Sequence, residues 1–282
     1  MEALRLTATW PVPHVAAATI DAAGAVATIG PTDRTFRLAS ISKPLTAWAA
    51  MVAVEEGIVQ LDAPLDDQGV QPGCTLRHLL SHAGGYAFDG PDPISKPGVR
   101  RIYSNTGIEL VGQCIGRAAH MAFETYLHEA VFAPLGMTST DLRGSPAHGV
   151  HSTVEDLVRF TTETRVPKLI TEASATQVST VQFPALAGII PGIGRFDPSP
   201  WGLGFEVRGN KHPHWTGTRN SPATFGHFGG AGTLLWVDPG VNVVCIALTD
   251  RPFDEWASDA LQLWPQLSDA VLLESAANER SR

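Results

Sequence analysis

The chain is β-prone at both ends and helix-patterned between them, so any fold it adopts must bring the ends together. From His14 to Gly30, "HVAAATIDAAGAVATIG" reads as two apolar β runs separated by "DAAG", whose glycine suits a hairpin. Strand signals return in "FGHFGGAGTLLWVDPGVNVVCIALTD", where "DPG" at 238–240 divides two β-rich runs as a hairpin turn would. Between them, "TLRHLLSHAGG", "NTGIELVGQCIGRAAH", "AFETYLHEAVFAPLGM" and "TVEDLVRFTTETR" space their apolar residues as helices do. This order predicts an α/β fold. A discontinuous α/β lobe comes from residues 1–45 and 203–282, a mainly helical lobe from residues 46–202 is inserted in it, and a cleft lies where they meet.

Punctuation within this frame is clear. "KPLTAWAAMVAVEEGIVQLDAP" reads as a buried helix, with Pro44 tolerated in its first turn and Gly57 as its stop. The Gly/Pro-rich stretches at 87–98 and 184–202 read as loops long enough to be functional or mobile. The last segment, "DEWASDALQLWPQLSDAVLLES", is a helix pattern that Pro265 is expected to break or kink.

Composition narrows the function classes. With 282 residues, 44% hydrophobic and 17% charged, the chain can bury a sizeable core and is not of the disordered kind. A formal charge of −8 argues against broad attraction to nucleic acid or anionic membranes. The adjacent Arg100 and Arg101 read as part of a solvated loop. No apolar run is long enough to span a bilayer, and the start lacks the basic and apolar segments of a secretory signal. Cys74, Cys114 and Cys245 have no CxxC spacing and cannot all pair within one chain, so a reducing, cytoplasmic setting is expected.

The chemistry-bearing motif is "SISK". Ser40 and Lys43 stand one helical turn apart, so a base can lie beside a hydroxyl that is otherwise a poor nucleophile. The bland alternative is that Ser40 or Ser42 caps the helix and Lys43 points into water. Chance supplies about 0.2 such serine–lysine pairs in a chain of this composition, so a second signal is needed.

Two further motifs follow in order. Tyr103 and Asn105, in "RRIYSNTGIELVG", form a YxN pair that chance supplies only about 0.05 times. A phenol near a lysinium is easier to deprotonate and can relay protons, and an amide can orient an acyl group; otherwise the pair packs a lobe edge and caps a helix. His227 opens "HFGG", whose glycines, Gly229 among them, allow a substrate to approach the backbone closely. HxG alone is weak, and His82 to Gly84 offers a competitor. Position favours His227, which opens a late strand, whereas His82 ends a helix.

Taken in this order, SxxK, YxN and HxG on a late strand resemble the serine β-lactamase and penicillin-recognising hydrolase family, most of all its class C branch. "FRLASISKPLTA", "TLRHLLSHAGG", "PLGMTST", "GVHSTVEDLVRF", "WGLGF" and "FGHFGGAGTLLWVDPG" carry the same resemblance over roughly residues 14 to 250. It implies the β-lactamase/transpeptidase-like fold: an antiparallel sheet flanked by helices, an inserted helical lobe, and an active site between the lobes. It further implies that Ser40 is the nucleophile and that Lys43 with Tyr103 moves its proton. The oxyanion hole would use the N–H groups of Ser40 and Gly230, while Asn105, His227 and Gly229 would meet the substrate. No metal or organic cofactor is implied.

The branch contains carboxylesterases and D-amino-acid-specific peptidases, and its members that are not lactamases often carry HxG where β-lactamases have K-[ST]-G. A small-molecule ester or amide is therefore the expected substrate, with esters preferred. A D-amino-acid peptidase or amidase, a weak β-lactamase and a non-catalytic binding protein are the alternatives. His227 stands where the β-lactamases place a carboxylate-binding lysine, so carboxylate-bearing donors are expected to bind better as pH falls and the imidazole protonates. Other chemistries lack support. "HEAVF" at 128–132 fails the HExxH pattern, "HPH" at 212–214 reads as a surface loop, and no GxSxG elbow is present. Oligomeric state is not legible.

Overall fold

The computed structural model describes residues 2–66 and 69–280. A 3-10 helix, Glu2–Thr9, leads into a hairpin of β1 (Val15–Ile20) and β2 (Val26–Ile29), turned at Gly24 with φ +85°. Strand β3 (Phe36–Arg37) and a 3-10 turn, Ala39–Ile41, precede helix α1 (Ser42–Glu55). Helix α2 (Leu76–Leu80), β4 (Arg101–Ile102), α3 (Asn105–Ala118) and α4 (Phe123–Leu127) follow, and the chain widens into a π-helical turn at His128–Phe132. Next come β5 (Asp141–Leu142), β6 (Val150–Ser152), α5 (Val154–Arg165) and α6 (Glu172–Ser179). The chain closes with β7 (Gly188–Ile190), β8 (Gly194–Phe196), β9 (Glu206–Val207), β10 (Phe225–Gly229), β11 (Thr233–Asp238), β12 (Val243–Thr249) and α7 (Ala257–Arg280).

The ends meet as expected. The main sheet runs β2-β1-β12-β11-β10-β9 with every neighbour antiparallel, and β1 joins β12 from Val15↔Thr249 to Ile20↔Val244. This is the α/β architecture that the resemblance implies, an antiparallel sheet flanked by helices. Alternation along the strands serves two cores. Val244, Ile246 and Leu248 pack with Leu45 and Trp48 of α1, while Val243, Cys245 and Ala247 pack with Trp264 and Leu267 of α7. Because both faces are covered, β12 is buried at all seven positions and its sequence shows no polar alternation.

Helix α1 is buried at Ser42 to Ala53, with no solvent-facing side over those residues. Its small residues admit close neighbours: a Cβ at Gly204 would lie 2.2 Å from that of Ala47. Burial of this kind leaves Lys43 completely enclosed at the site end of the helix.

Two local expectations are corrected. The 184–202 segment is not wholly irregular, since β7 and β8 form a hairpin whose inner strand lies parallel to β4. Three-residue strands carry too little periodicity to be read alone, and this pair becomes sheet by docking on β4. Helix α7 also continues through Pro265. Packing of the buried Trp264 and Leu267 against the sheet offsets the roughly 3 kcal/mol that an interior proline costs. Among the described residues, no helix is long and apolar enough to cross a membrane.

Candidate active site

The turn between β3 and α1 presents Ser40 at the wall of a pocket. Ala39 is held at φ +49°, a left-handed conformation that non-glycine residues seldom adopt, and the strain is concentrated just before the serine. Neither serine caps the helix by its side chain. Ser42 Oγ instead donates to Ala39 O and accepts from the Val150 N–H, tying the turn to β6.

Lys43 points inward rather than into water. Its Nζ donates to Ser40 Oγ at 3.0 Å, Asn105 Oδ1 at 2.8 Å and Ala147 O at 3.0 Å, and it sits 4.6 Å from the centre of the Tyr103 ring. Burial pushes its pKa down to about 7, against the opposing pull of Asp89 and Glu109. An amine so placed is part neutral near pH 7 and can accept a proton.

Tyr103 and His227 continue the chain of polar contacts. Ser40 hydrogen-bonds the Tyr103 hydroxyl, which lies 3.4 Å from His227 Nε2. His227 Nδ1 is 2.6 Å from Phe228 O, so it carries the proton and leaves Nε2 as an acceptor. Burial raises the phenol well above its ordinary value despite the Ser40 hydrogen bond. Burial of the Tyr103 hydroxyl thus works against the expected lysinium-assisted deprotonation and favours the protonated phenol. Burial, then Lys43, likewise lowers His227 to about 3, so it remains neutral between pH 5 and 8. A ring that is neutral in this range gives no charge for the expected pH-dependent attraction of carboxylates to this imidazole.

The dryness has identifiable sources. His82 packs at a tilt 4.6 Å from Tyr103, Trp201 meets His82 edge-on, and Phe88 covers Tyr103 from the pocket side. His82 Nδ1 accepts from the Ser104 N–H, and burial holds the ring neutral. Its own HxG pattern was the signal that could have placed it here. Trp201 had none beyond the "WGLGF" resemblance.

The remaining candidates divide. Asn105 is buried, accepting from Lys43 and donating to Asp89 Oδ1 at 3.1 Å; it grips the lysine rather than lining the pocket. A Cβ at Gly229 would lie 2.2 Å from Leu38 O, so the close approach there is made by the turn that carries Ser40, not by the pocket. Gly230 is exposed and lines the pocket beside Ser40, with nothing within 4 Å of where a Cβ would stand.

Two further surface expectations are corrected. His214 of "HPH" is buried, donating through Nε2 to Glu206 Oε1 at 2.9 Å, and Thr216 N–H fixes that tautomer by donating to Nδ1. The same carboxylate takes Lys211 Nζ at 2.8 Å and Trp215 Nε1 at 2.6 Å. Burial alone would raise the Glu206 carboxyl, but Lys211 and His214 outweigh it and hold it below the usual range. Arg101 is buried too, its guanidinium donating to the carbonyls of Ser81, Gln182, Phe183 and Ser199. Burial lowers it to about 10. These charges fold inward because partners distant in sequence satisfy them.

The pocket measures about 420 Å³ and is walled by Tyr103, Trp201, His227, Phe228 and Phe253, with Ser40 and Gly230 on one side. Among the described residues, no cluster of His, Cys, Asp and Glu suits a metal ion. An oriented hydroxyl, a near-neutral amine and a neutral phenol in one apolar cleft have the geometry that acyl transfer requires.

The family model Beta-lactamase matches residues 23–267. A crystal structure of a beta-lactamase from Mycobacterium bovis is 47% identical at a TM-score of 0.92, the match covering 97% of this chain and 99% of that one. A beta-lactamase from Yersinia enterocolitica is 28% identical over 174 residues, 44% of this chain and 45% of that protein, so the chain matches less than half of that relative's length. A mutant simvastatin synthase from Aspergillus terreus, 18% identical, has the same fold at a TM-score of 0.78, over 97% of this chain and 93% of that one. A family match across most of the sequence, joined to a near-complete structural match at 47% identity, shows that the chain belongs to the beta-lactamase and penicillin-recognising serine-hydrolase superfamily.

Proposed function

We propose that the protein is a serine hydrolase that cleaves small esters through an acyl-enzyme on Ser40. The observation that carries this reading is Lys43: completely buried, brought to about pKa 7 and 3.0 Å from Ser40 Oγ. In its neutral form Lys43 takes the Ser40 proton as Oγ bonds to the substrate carbonyl carbon. The oxyanion that forms is met by the backbone N–H groups of Ser40 and Gly230. When the tetrahedral species collapses, the bond to the leaving oxygen breaks and that oxygen receives the proton, relayed from Lys43 through the neutral Tyr103. Water then enters along the same route, giving its proton to Lys43 and releasing the acid as Ser40 Oγ regains a proton.

Esters are favoured over carboxylate-bearing lactams because a neutral imidazole, not an ammonium, faces the pocket at position 227. Three unpaired, buried thiols suit a reducing, cytoplasmic setting. The test is a rate comparison of the purified protein on acyl esters of graded length, a chromogenic cephalosporin and D-alanyl peptides. Faster turnover of the esters than of the cephalosporin and the peptides supports the reading. A cephalosporin or peptide rate at or above the ester rate transfers it to the β-lactamase or peptidase alternative, and turnover of none transfers it to a binding protein.

A further inference from the structure

Beside the catalytic pocket lies a second groove of about 630 Å³, and the two share Phe88, Tyr103 and Pro191 in their walls. The groove lies between the 87–100 loop and the small sheet that β7 and β8 build on β4. Its apolar lining faces water: Phe88 is 47%, Val99 58%, Ile189 62% and Ile94 65% exposed. Four large apolar side chains around one concavity are more than the scatter of single exposed residues found on any surface.

The charge on this lining is one-sided. Arg100 and Arg195 stand on it, Arg195 directly opposite Ile189 across the β7–β8 pair, so the guanidinium rises from the same face as the isoleucine. Among the described residues neither arginine has an ion-pair or hydrogen-bond partner, and Arg101 beneath them is satisfied by carbonyls alone. Among the described residues no aspartate or glutamate lines the groove, although the chain as a whole carries a formal charge of −8. The adjoining catalytic pocket, by contrast, has Glu206 and Asp254 in its lining.

Resting on the ester-hydrolase reading, we propose that this groove takes an apolar arm of the substrate that ends in an oxyanion, a carboxylate or a phosphate, which Arg100 and Arg195 bind. The preferred esters are then amphipathic: the scissile bond at Ser40, an apolar segment along Phe88 and Ile189, and the charge at the arginines. A bidentate guanidinium matches either oxyanion.

Binding tests the groove without relying on turnover. Octanoate, octyl phosphate and octanol are titrated calorimetrically into the wild type, R100E/R195E, R100Q/R195Q and R100K/R195K. The expected result is that one or both anions bind about tenfold more tightly than octanol, the order two solvent-exposed charge pairs supply, and less tightly in high salt. The glutamate and glutamine variants should lose that preference and the lysine variant keep most of it. The stronger anion tells carboxylate from phosphate. Equal binding of anions and alcohol, or an unchanged preference in R100E/R195E, overturns the proposal. A parallel assay uses the 4-nitrophenyl half-ester of octanedioic acid and 6-acetoxyhexanoate, with 4-nitrophenyl octanoate and hexyl acetate as their neutral counterparts. It places the arm on the acyl or the alcohol side, and no preference for either charged ester also counts against the groove. Ester turnover without anion preference removes the groove and leaves the hydrolase reading intact. Anion binding without turnover of any ester removes the hydrolase reading.

Discussion

Lys43 Nζ and Ser40 Oγ lie 3.0 Å apart in a setting that brings the lysine to about pKa 7. One turn of α1 sets the spacing, and burial of that helix sets the protonation state. The base must be neutral to act, so kcat/KM for a neutral ester should rise with pH through about 7 and level off above it. Asp89 holds the ammonium form in place. Asp89→Asn should move this rise to lower pH, and a pH–rate profile of the two proteins checks the direction.

His227 is neutral from pH 5 to 8, with burial and Lys43 both opposing its charge. The ratio of KM values for a matched neutral and anionic ester should therefore stay flat across that window, any anion preference coming from arginines that do not titrate there. A preference that grows as pH falls and vanishes in His227→Asn would contradict this.

Neighbouring glycines should respond in opposite ways. A Cβ at Gly229 meets Leu38 O at 2.2 Å and Thr233 Oγ1 at 2.4 Å, both on elements that fix the Ser40 turn. Gly229→Ala should cost roughly 2–3 kcal/mol as an overpacked site and lower kcat as the turn shifts. Gly230→Ala meets nothing within 4 Å and should stay within about 0.5 kcal/mol of wild type. Urea unfolding of both variants compares them.

Glu206 receives Lys211, His214 and Trp215 in one buried cluster. Glu206→Gln leaves the Lys211 charge without its carboxylate, so a loss of about 3–5 kcal/mol is expected in chemical denaturation. A near-neutral effect would mean that Lys211 is already uncharged in the folded protein.

The features legible in the sequence were those carried by one local pattern. The two hairpins follow from apolar runs around Gly24 and around 238–240, and α1 follows from its unbroken apolar and small residues. Ser40, Lys43, Tyr103 and His227 each stand in a short motif, and the structure brings all four together. Features that depend on distant partners were not legible. His214 and Lys211 look like surface residues until Glu206 meets them from β9, and Arg101 until four carbonyls do. His82 lies beneath Tyr103 although it ends a helix, because at φ +56° the chain turns the ring inward. Strands β7 and β8 are too short to announce themselves, and they supply Gly188, Ile189 and Arg195 to the groove.

The most direct test of the central claim is the rate and position of covalent labelling by a fluorophosphonate, followed by mass spectrometry of the intact protein and its peptides. The account predicts one adduct per chain on the Ser40 peptide, formed faster as pH rises through about 7. It should be absent in Ser40→Ala and slowed by roughly 10³-fold or more in Lys43→Ala, since the two act as a unit. An adduct on another serine, or labelling of Ser40 at an unchanged rate without Lys43, would contradict it.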